Sequence, residues 1–342
     1  MKKEVSIIGA GSWGTTLAVI LSRKGVNVQL HSVFREHNLK MQRMRENRLF
    51  LKGVKFPTHL KINQSLKSTL ENEIIVIAIP VKFVRGILRK IKRSNPSFEN
   101  KSSPCAQRLG KIFLSVSKGI EVKTLKRVSQ IIEEELGTVF VAVLSGPNIA
   151  KEVLAGVPTV SVIACKDKRI ARKLQILFST PTFRVYFHQD IIGVELGGAL
   201  KNIIALACGI SDGLGLGTNT KAALVTRGLV EIIRLGVKMG ANPQTFWGIS
   251  GLGDLTTTCF SPYSRNRFVG EGIGEGKKLS DILKKMGMVA EGIETIKAAF
   301  CLSEKLGVDM PITREIYRVL YKNKSPKKAV GDLMGRSLKG EI

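Results

Sequence analysis

Gly9-Ala-Gly-Ser-Trp-Gly14 is the first stretch of the 342-residue chain whose residue types and spacing could do chemistry. Gly9 permits a tight turn, Gly11 lets the backbone approach a pyrophosphate, and Gly14 lets a following helix pack on the strand before it. The helix N-terminus then offers free N–H groups to the anion. The flanking pattern supplies the context this spacing needs: an apolar run Val5–Ile8, a helical face of Leu17, Ile20 and Leu21 ended by Gly25, and a second strand Val26–Leu30. A dinucleotide is the expected ligand. After the second strand, His31-Ser32-Val33-Phe34-Arg35 holds no carboxylate for a ribose 2′-hydroxyl, whereas Arg35 could accommodate a 2′-phosphate. NADP(H) is therefore expected to bind, alongside or in preference to NAD(H), although Arg35 is also one of eight cations between Arg35 and Lys61.

Hydride addition to a carbonyl makes two further demands. The alkoxide needs a proton donor within reach, and an anionic substrate needs cations to hold it. Lys201 is the leading candidate for the first, standing with Asn202 in the largely apolar helical stretch Val194–Cys208. Partial desolvation there would lower an ammonium pKa towards the range of a general acid. The same spacing also suits a lysine that snorkels from a core helix to water. Asp254, in the glycine-rich turn Gly251-Leu-Gly-Asp-Leu255, could orient and charge-balance the lysine. Arg265 offers a planar fork suited to phosphate, with Asn266 as a neutral neighbour. Lys118-Gly119 and Ser145-Gly-Pro-Asn148 follow strand-like runs, where doubly wound folds hold their ligands.

Positioning these groups takes a sheet with helices on both sides. Glu73–Ile79 is apolar on both faces after its first residue, as a central parallel strand should be, and Pro80 closes it. Strand Ile112–Val116, helix Thr124–Leu136, strands Val139–Leu144 and Thr159–Ala164, helix Asp167–Phe178 and strand Phe183–Phe187 continue the pattern. After Asp190 the strand signals stop, and Val194–Ile210, Thr220–Met239, Glu291–Leu306 and Thr313–Tyr321 carry helical spacing. The expected architecture is an α/β Rossmann-like doubly wound N-terminal domain, residues 1–190, that binds NAD(P). An all-α C-terminal domain, residues 191–342, would supply substrate and catalytic groups. The basic tail Lys322–Lys339 reads as a solvated terminal helix.

Composition narrows the partners. A 44% hydrophobic and 24% charged chain is globular rather than disordered. Fifty-four Lys plus Arg against 27 Asp plus Glu give +27, which admits nucleic acid, anionic membrane or phosphorylated small molecules. Aromatics are only 6%, and no helix-turn-helix, OB or RRM signature is evident. Lys82–Arg93, with six cations and no carboxylate, reads as the solvated face of a helix, so no nucleic-acid partner is expected. Gly9 to Thr16 interrupt the apolar N-terminal stretch, and no run reaches 18 apolar residues. Neither a signal peptide nor an integral membrane segment is expected. Five scattered cysteines without a CxxC pair predict neither a disulfide scaffold nor a metal site, as in a reducing cytoplasm.

The ordered set Gly-Ala-Gly-Ser-Trp-Gly at 9–14, Ser-Lys-Gly at 117–119, Ser-Gly-Pro-Asn-Ile-Ala-Lys-Glu at 145–152, Leu-Gly-Gly-Ala-Leu-Lys-Asn at 196–202, Gly-Leu-Gly-Asp-Leu at 251–255, Ser-Arg-Asn at 264–266 and Val-Ala-Glu-Gly at 289–292 spans nearly the whole chain. It resembles the soluble NAD(P)-dependent glycerol-3-phosphate dehydrogenases of bacteria. The resemblance implies reversible reduction of dihydroxyacetone phosphate to sn-glycerol 3-phosphate, the backbone precursor of phospholipids, in the cytoplasm, and leaves a homodimer open. By the same resemblance Lys201 is the proton donor or acceptor and Asp254 supports it. Lys118, Gly146, Asn148, Ser264, Arg265 and Asn266 would line the substrate site with them. Gly9, Gly11, Ser12, Trp13, Gly14, Arg35, Lys118, Ala150, Arg265, Val289 and Glu291 would meet the cofactor. Members often carry His or Arg just after the second strand, and this chain departs there with Val33 and Phe34 before Arg35. The nearest rival is a reductase of the same plan acting on a hydroxy acid or hydroxyacyl thioester. It would need anchors other than Lys118, Asp254 and Arg265-Asn266.

Overall fold

Apolar runs with no polar face need cover on both sides, and among the described residues the sheet that meets this need contains eight strands. The structure, a computed structural model, describes residues 4–95, 110–137, 139–286, 291–338 and 340–341; Cys105 and Val289 lie outside them. The strands are β1 (Glu4–Ile8), β2 (Asn27–His31), β3 (Leu60–Ile62), β4 (Ile74–Ile77), β5 (Ile112–Ser115), β6 (Phe140–Ser145), β7 (Thr159–Cys165) and β8 (Phe183–His188). Their order is β3-β2-β1-β4-β5-β6-β7-β8. Alternation along β4 divides the core between the two faces. Ile74 and Val76 join Leu17 and Leu21 of the Ser12–Arg23 helix, while Ile75 and Ile77 join Val84 and Leu88 of the Val81–Ser94 helix and Ile131 of the Val128–Leu136 helix.

The pattern departs from the sequence expectation in four places. β7 runs antiparallel to β6, with β8 parallel to β7. The Gly146–Pro158 connection holds only the short Ala150–Leu154 helix, and the chain turns back beside β6 instead of crossing over the sheet. The helix expected from Thr124 begins at Val128, because Leu125 sits at φ +60° in the left-handed region. β3 spans three residues, too few to show a period. The Arg35–Met44 helix buries only Asn38 and Met41, so it carries little apolar signal.

Contacts group Met1–Lys118 with Lys126–Glu195 as one unit, and Gly119–Leu125 with Leu196–Ile342 as a second. Beyond residue 196 the described residues form helices and turns. The Ile191–Gly213 helix is long and apolar enough to cross a membrane, but 94% of its most apolar window is buried inside the protein, as in a core helix. It packs at backbone distance on the Arg265–Gly274 helix: a Cβ on Gly209 would lie 2.0 Å from the Arg267 carbonyl oxygen, and one on Gly270 would lie 2.2 Å from that of Leu206. Cys165, Cys208 and Cys259 are buried free thiols and Cys301 is an exposed one.

A buried carboxylate joins two further helices of this unit. Glu231, on the Gly217–Lys238 helix, accepts hydrogen bonds from the Ile312 and Thr313 backbone N–H groups at 2.5 and 3.1 Å and from the Thr313 hydroxyl at 3.0 Å, at the start of the Pro311–Tyr321 helix. Burial outweighs these bonds and pushes its pKa up to about 7. Below about pH 4.5 the group is neutral in both folded and unfolded chains. Between about pH 4.5 and 7 the folded chain keeps a proton that the unfolded chain has lost, so stability from this group falls by about 3 kcal/mol across that interval and is level above it. The melting temperature of the native chain should therefore fall, relative to that of Glu231→Gln, between about pH 4.5 and 7. A difference that stays constant across that range would remove Glu231 as the source.

Candidate active site

The glycine turn after β1 distinguishes its three glycines by what surrounds them. Gly9 has φ +118°, and a Cβ there would lie 2.2 Å from the Ala78 carbonyl oxygen, so the turn presses on the end of β4. A Cβ on Gly14 would lie 2.0 Å from the Gly9 oxygen. A Cβ on Gly11 would meet no protein atom within 4 Å. That open side faces a helix start whose N-cap, Gly11, has no side chain to occupy the first N–H groups, which is the cradle a pyrophosphate requires. The residues therefore fit a dinucleotide.

Asn47, absent from the sequence expectation, braces the turn. It is fully buried, and its Nδ2 donates to the Ala10 carbonyl and the Thr15 hydroxyl, both at 2.8 Å. The Ser12 hydroxyl donates to the Phe50 carbonyl at 3.1 Å, so this side chain ties the turn to the segment that carries Asn47. Trp13 packs edge-on against Phe183, 6.2 Å between ring centroids. After β2, Ser32 is held by Asn38, which accepts from its N–H and donates to its carbonyl, each at 2.7 Å; Val33, Phe34 and Arg35 are left exposed.

The carboxyl ends of β4, β5 and β6 meet beside this turn. The Ser117 hydroxyl donates to the Ile79 carbonyl at 2.6 Å, and Lys118 Nζ donates to the Gly146 carbonyl at 2.9 Å, so two motifs distant in sequence come together. Gly146 has φ +153°, and a Cβ there would sit 3.0 Å from Ser161 Cα. The Asn148 amide is engaged by β7, donating to the Val160 carbonyl and accepting from the Ser161 hydroxyl, so it shapes the Gly146 turn. Ala150 opens the short helix that follows.

In the second unit Lys201 is 6% exposed and Asp254 1%. Lys201 Nζ donates to Asp254 Oδ1 at 2.5 Å and to the Thr258 hydroxyl, which itself donates to the Asp254 backbone carbonyl at 2.7 Å. Close approach builds this group. Gly197, one helical turn before Lys201, touches the Ser250 backbone (a Cβ would lie 2.6 Å from its oxygen). That contact draws the π-helical turn Ile249–Gly253 against the helix, and the Asp254–Phe260 helix starts within reach of the ammonium. The lysine is thus a buried ion-pair partner rather than a snorkelling one. Thr258 was missed by sequence reasoning. Its only signal was the four-residue spacing from Asp254, which puts both on one helix face.

Ser264 caps the Arg265–Gly274 helix, its hydroxyl accepting from the Arg267 N–H at 3.2 Å, so Arg265 stands in the first turn. The buried Asn266 carbonyl accepts from the Gly292 N–H at 3.1 Å, which brings Glu291 to the same place. Its Oδ1 is thereby used within the protein.

A mostly parallel nucleotide-binding sheet with a built pyrophosphate cradle, followed by a helical unit that buries a lysine–aspartate pair, defines a dinucleotide-dependent dehydrogenase. Residues 4–171 match the family profile for the NAD-dependent glycerol-3-phosphate dehydrogenase N-terminus, and residues 190–331 match that for its C-terminus. The glycerol-3-phosphate dehydrogenase [NAD(P)+] of Citrifermentans bemidjiense is 47% identical over 100% of this chain and 99% of its own length; that of Geobacter sulfurreducens is 45% identical over the same shares. The crystal structure of glycerol-3-phosphate dehydrogenase from Coxiella burnetii superposes with a TM-score of 0.91 at 37% identity, covering 98% of this chain and 99% of that one. The chain belongs to the NAD(P)-dependent glycerol-3-phosphate dehydrogenase family.

Proposed function

We propose that Lys201 is the general acid in the NAD(P)H-dependent reduction of dihydroxyacetone phosphate to sn-glycerol 3-phosphate, and the base in the reverse direction. The observation that carries this role is the buried Lys201–Asp254–Thr258 group, which holds one ammonium in one orientation away from bulk water. Bound at the glycine turn, NAD(P)H supplies the hydride. As the carbonyl oxygen becomes an alkoxide, Lys201 Nζ gives it a proton, and Asp254 balances the lysine's charge before the transfer. Arg265 takes the phosphate as a bidentate fork, with Ser264 and Asn266 at the same helix start, where the dipole favours an anion. In the first unit Lys118, whose Nζ donates to the Gly146 carbonyl, is a cation available to an anionic ligand. Arg35, exposed after β2, is the group that would meet a 2′-phosphate. Residues 1–190 would form the cofactor-binding domain and 191–342 the substrate domain. A cytoplasmic enzyme supplying the phospholipid backbone goes with this reading.

The test is direct. Mixed with dihydroxyacetone phosphate, the protein should consume NADPH or NADH as followed by loss of reduced-nicotinamide absorbance. Silence with both cofactors would overturn the reading, and NADH bound at least as tightly as NADPH would remove Arg35 from the 2′-position.

A further inference from the structure

We infer that Asp212 is a positioning residue for the phosphate clamp: through Arg267 it sets the rotation of the helix start that carries Arg265. Asp212 lies near the end of the Ile191–Gly213 helix, the helix that also carries Lys201. Its Oδ2 accepts from Arg267 Nε at 2.6 Å and its Oδ1 pairs with Lys221 Nζ at 2.5 Å, so both oxygens are used. All three side chains are less than one-fifth exposed, where screening by solvent is reduced. Lys221 is itself seated over the Phe260 ring, 5.4 Å from its centroid.

The geometry gives this pair leverage. Successive helical residues are about 100° apart, so Arg265 and Arg267 point to nearly opposite sides of the helix. Drawing Arg267 to Asp212 fixes the angle at which Arg265 leaves the other side. Gly209, three residues before Asp212, already sets the distance, because its Cα lies against the Arg267 carbonyl. Backbone contacts at Gly209, Gly213, Gly270 and Gly274 hold the two helices face to face, and the Asp212–Arg267 pair anchors the first turn of the second, where Arg265 leaves it. A planar fork is more sensitive to that angle than a point charge.

The inference rests on Arg265 being the phosphate ligand, and the test separates the two. The native chain, Asp212→Asn and Arg265→Ala are assayed with dihydroxyacetone phosphate and with dihydroxyacetone, which lacks the phosphate. Asp212→Asn should lower kcat/KM for the phosphorylated substrate about tenfold or more, through KM, with an effect of about twofold or less on dihydroxyacetone. Equal losses on both substrates, or none on either, would overturn the positioning role. An Arg265→Ala chain that keeps its kcat/KM for dihydroxyacetone phosphate would instead overturn the phosphate-clamp reading. Should Asp212→Asn not fold, Arg267→Gln, which leaves the Asp212–Lys221 pair in place, must show the same phosphate-selective loss; its absence would sink the inference.

Discussion

Lys201→Ala is expected to lower kcat by about a thousandfold while NADPH still titrates the variant with nearly its native affinity. The first effect follows from removing the proton donor, whose contribution as a general acid is of that order. The second follows because the cradle at Gly9–Gly14 is built without Lys201. The substitution also leaves Asp254, 1% exposed, as a buried charge without its cation, which costs about 3–5 kcal/mol of stability. Lost folding could then imitate lost catalysis. Lys201→Met combined with Asp254→Asn separates them, since it removes the stranded charge but not the need for a proton. Thermal stability should recover in the double variant and turnover should not. Substantial activity in either variant would end the assignment of Lys201.

Gly11→Ala and Gly14→Ala should both abolish tight NADPH binding, for different physical reasons that the melting temperature reveals. At Gly14 the new methyl would lie 2.0 Å from the Gly9 oxygen and 3.0 Å from the Ala78 methyl, so the turn must shift even without ligand. That variant should lose about 1–3 kcal/mol of stability as well as the cofactor. At Gly11 the methyl meets nothing in the protein, and φ of −74° suits alanine. The chain should keep its stability or gain up to about 1 kcal/mol from a stiffer unfolded state. Its methyl would occupy the space a pyrophosphate needs, raising the NADPH dissociation constant about a hundredfold. Fluorescence titration and thermal melts in the absence of cofactor measure the two quantities. Native-like NADPH affinity in Gly11→Ala would show that the pyrophosphate lies elsewhere.

These expectations differ in how far the sequence alone could carry them. Glycine spacing after a short apolar run is legible because only residues without a Cβ can take φ +118° at Gly9 or admit the contact at Gly14. Runs apolar on both faces, such as Ile74–Ile77, are legible as central strands because no solvated face is left to code for. The loss of strand signals after the last apolar run is legible too, and the described residues beyond 196 form helices and turns.

Direction and partnership were not legible. Whether β7 returns beside β6 or crosses over depends on how the Gly146–Pro158 connection packs, since a strand's alternation is the same in either direction. Helical periodicity says which face of the Ile191–Gly213 helix is buried but not what lies against it, so a snorkelling Lys201 and an ion-paired one share one pattern. The choice was made 53 residues away, where Gly197 on Ser250 brings Asp254 and Thr258 to the ammonium. Asn47, Asn148 and Asn266 make the same point: an amide's type says it will be bonded, and only the fold decides whether the partner is the protein's own backbone. Central strands such as Ile74–Ile77, the glycine turn after β1 and most of the candidate groups are written in the sequence, because they follow from local sterics and burial. Tertiary structure decided which side chains are aimed and which are already taken, because those contacts join segments tens of residues apart.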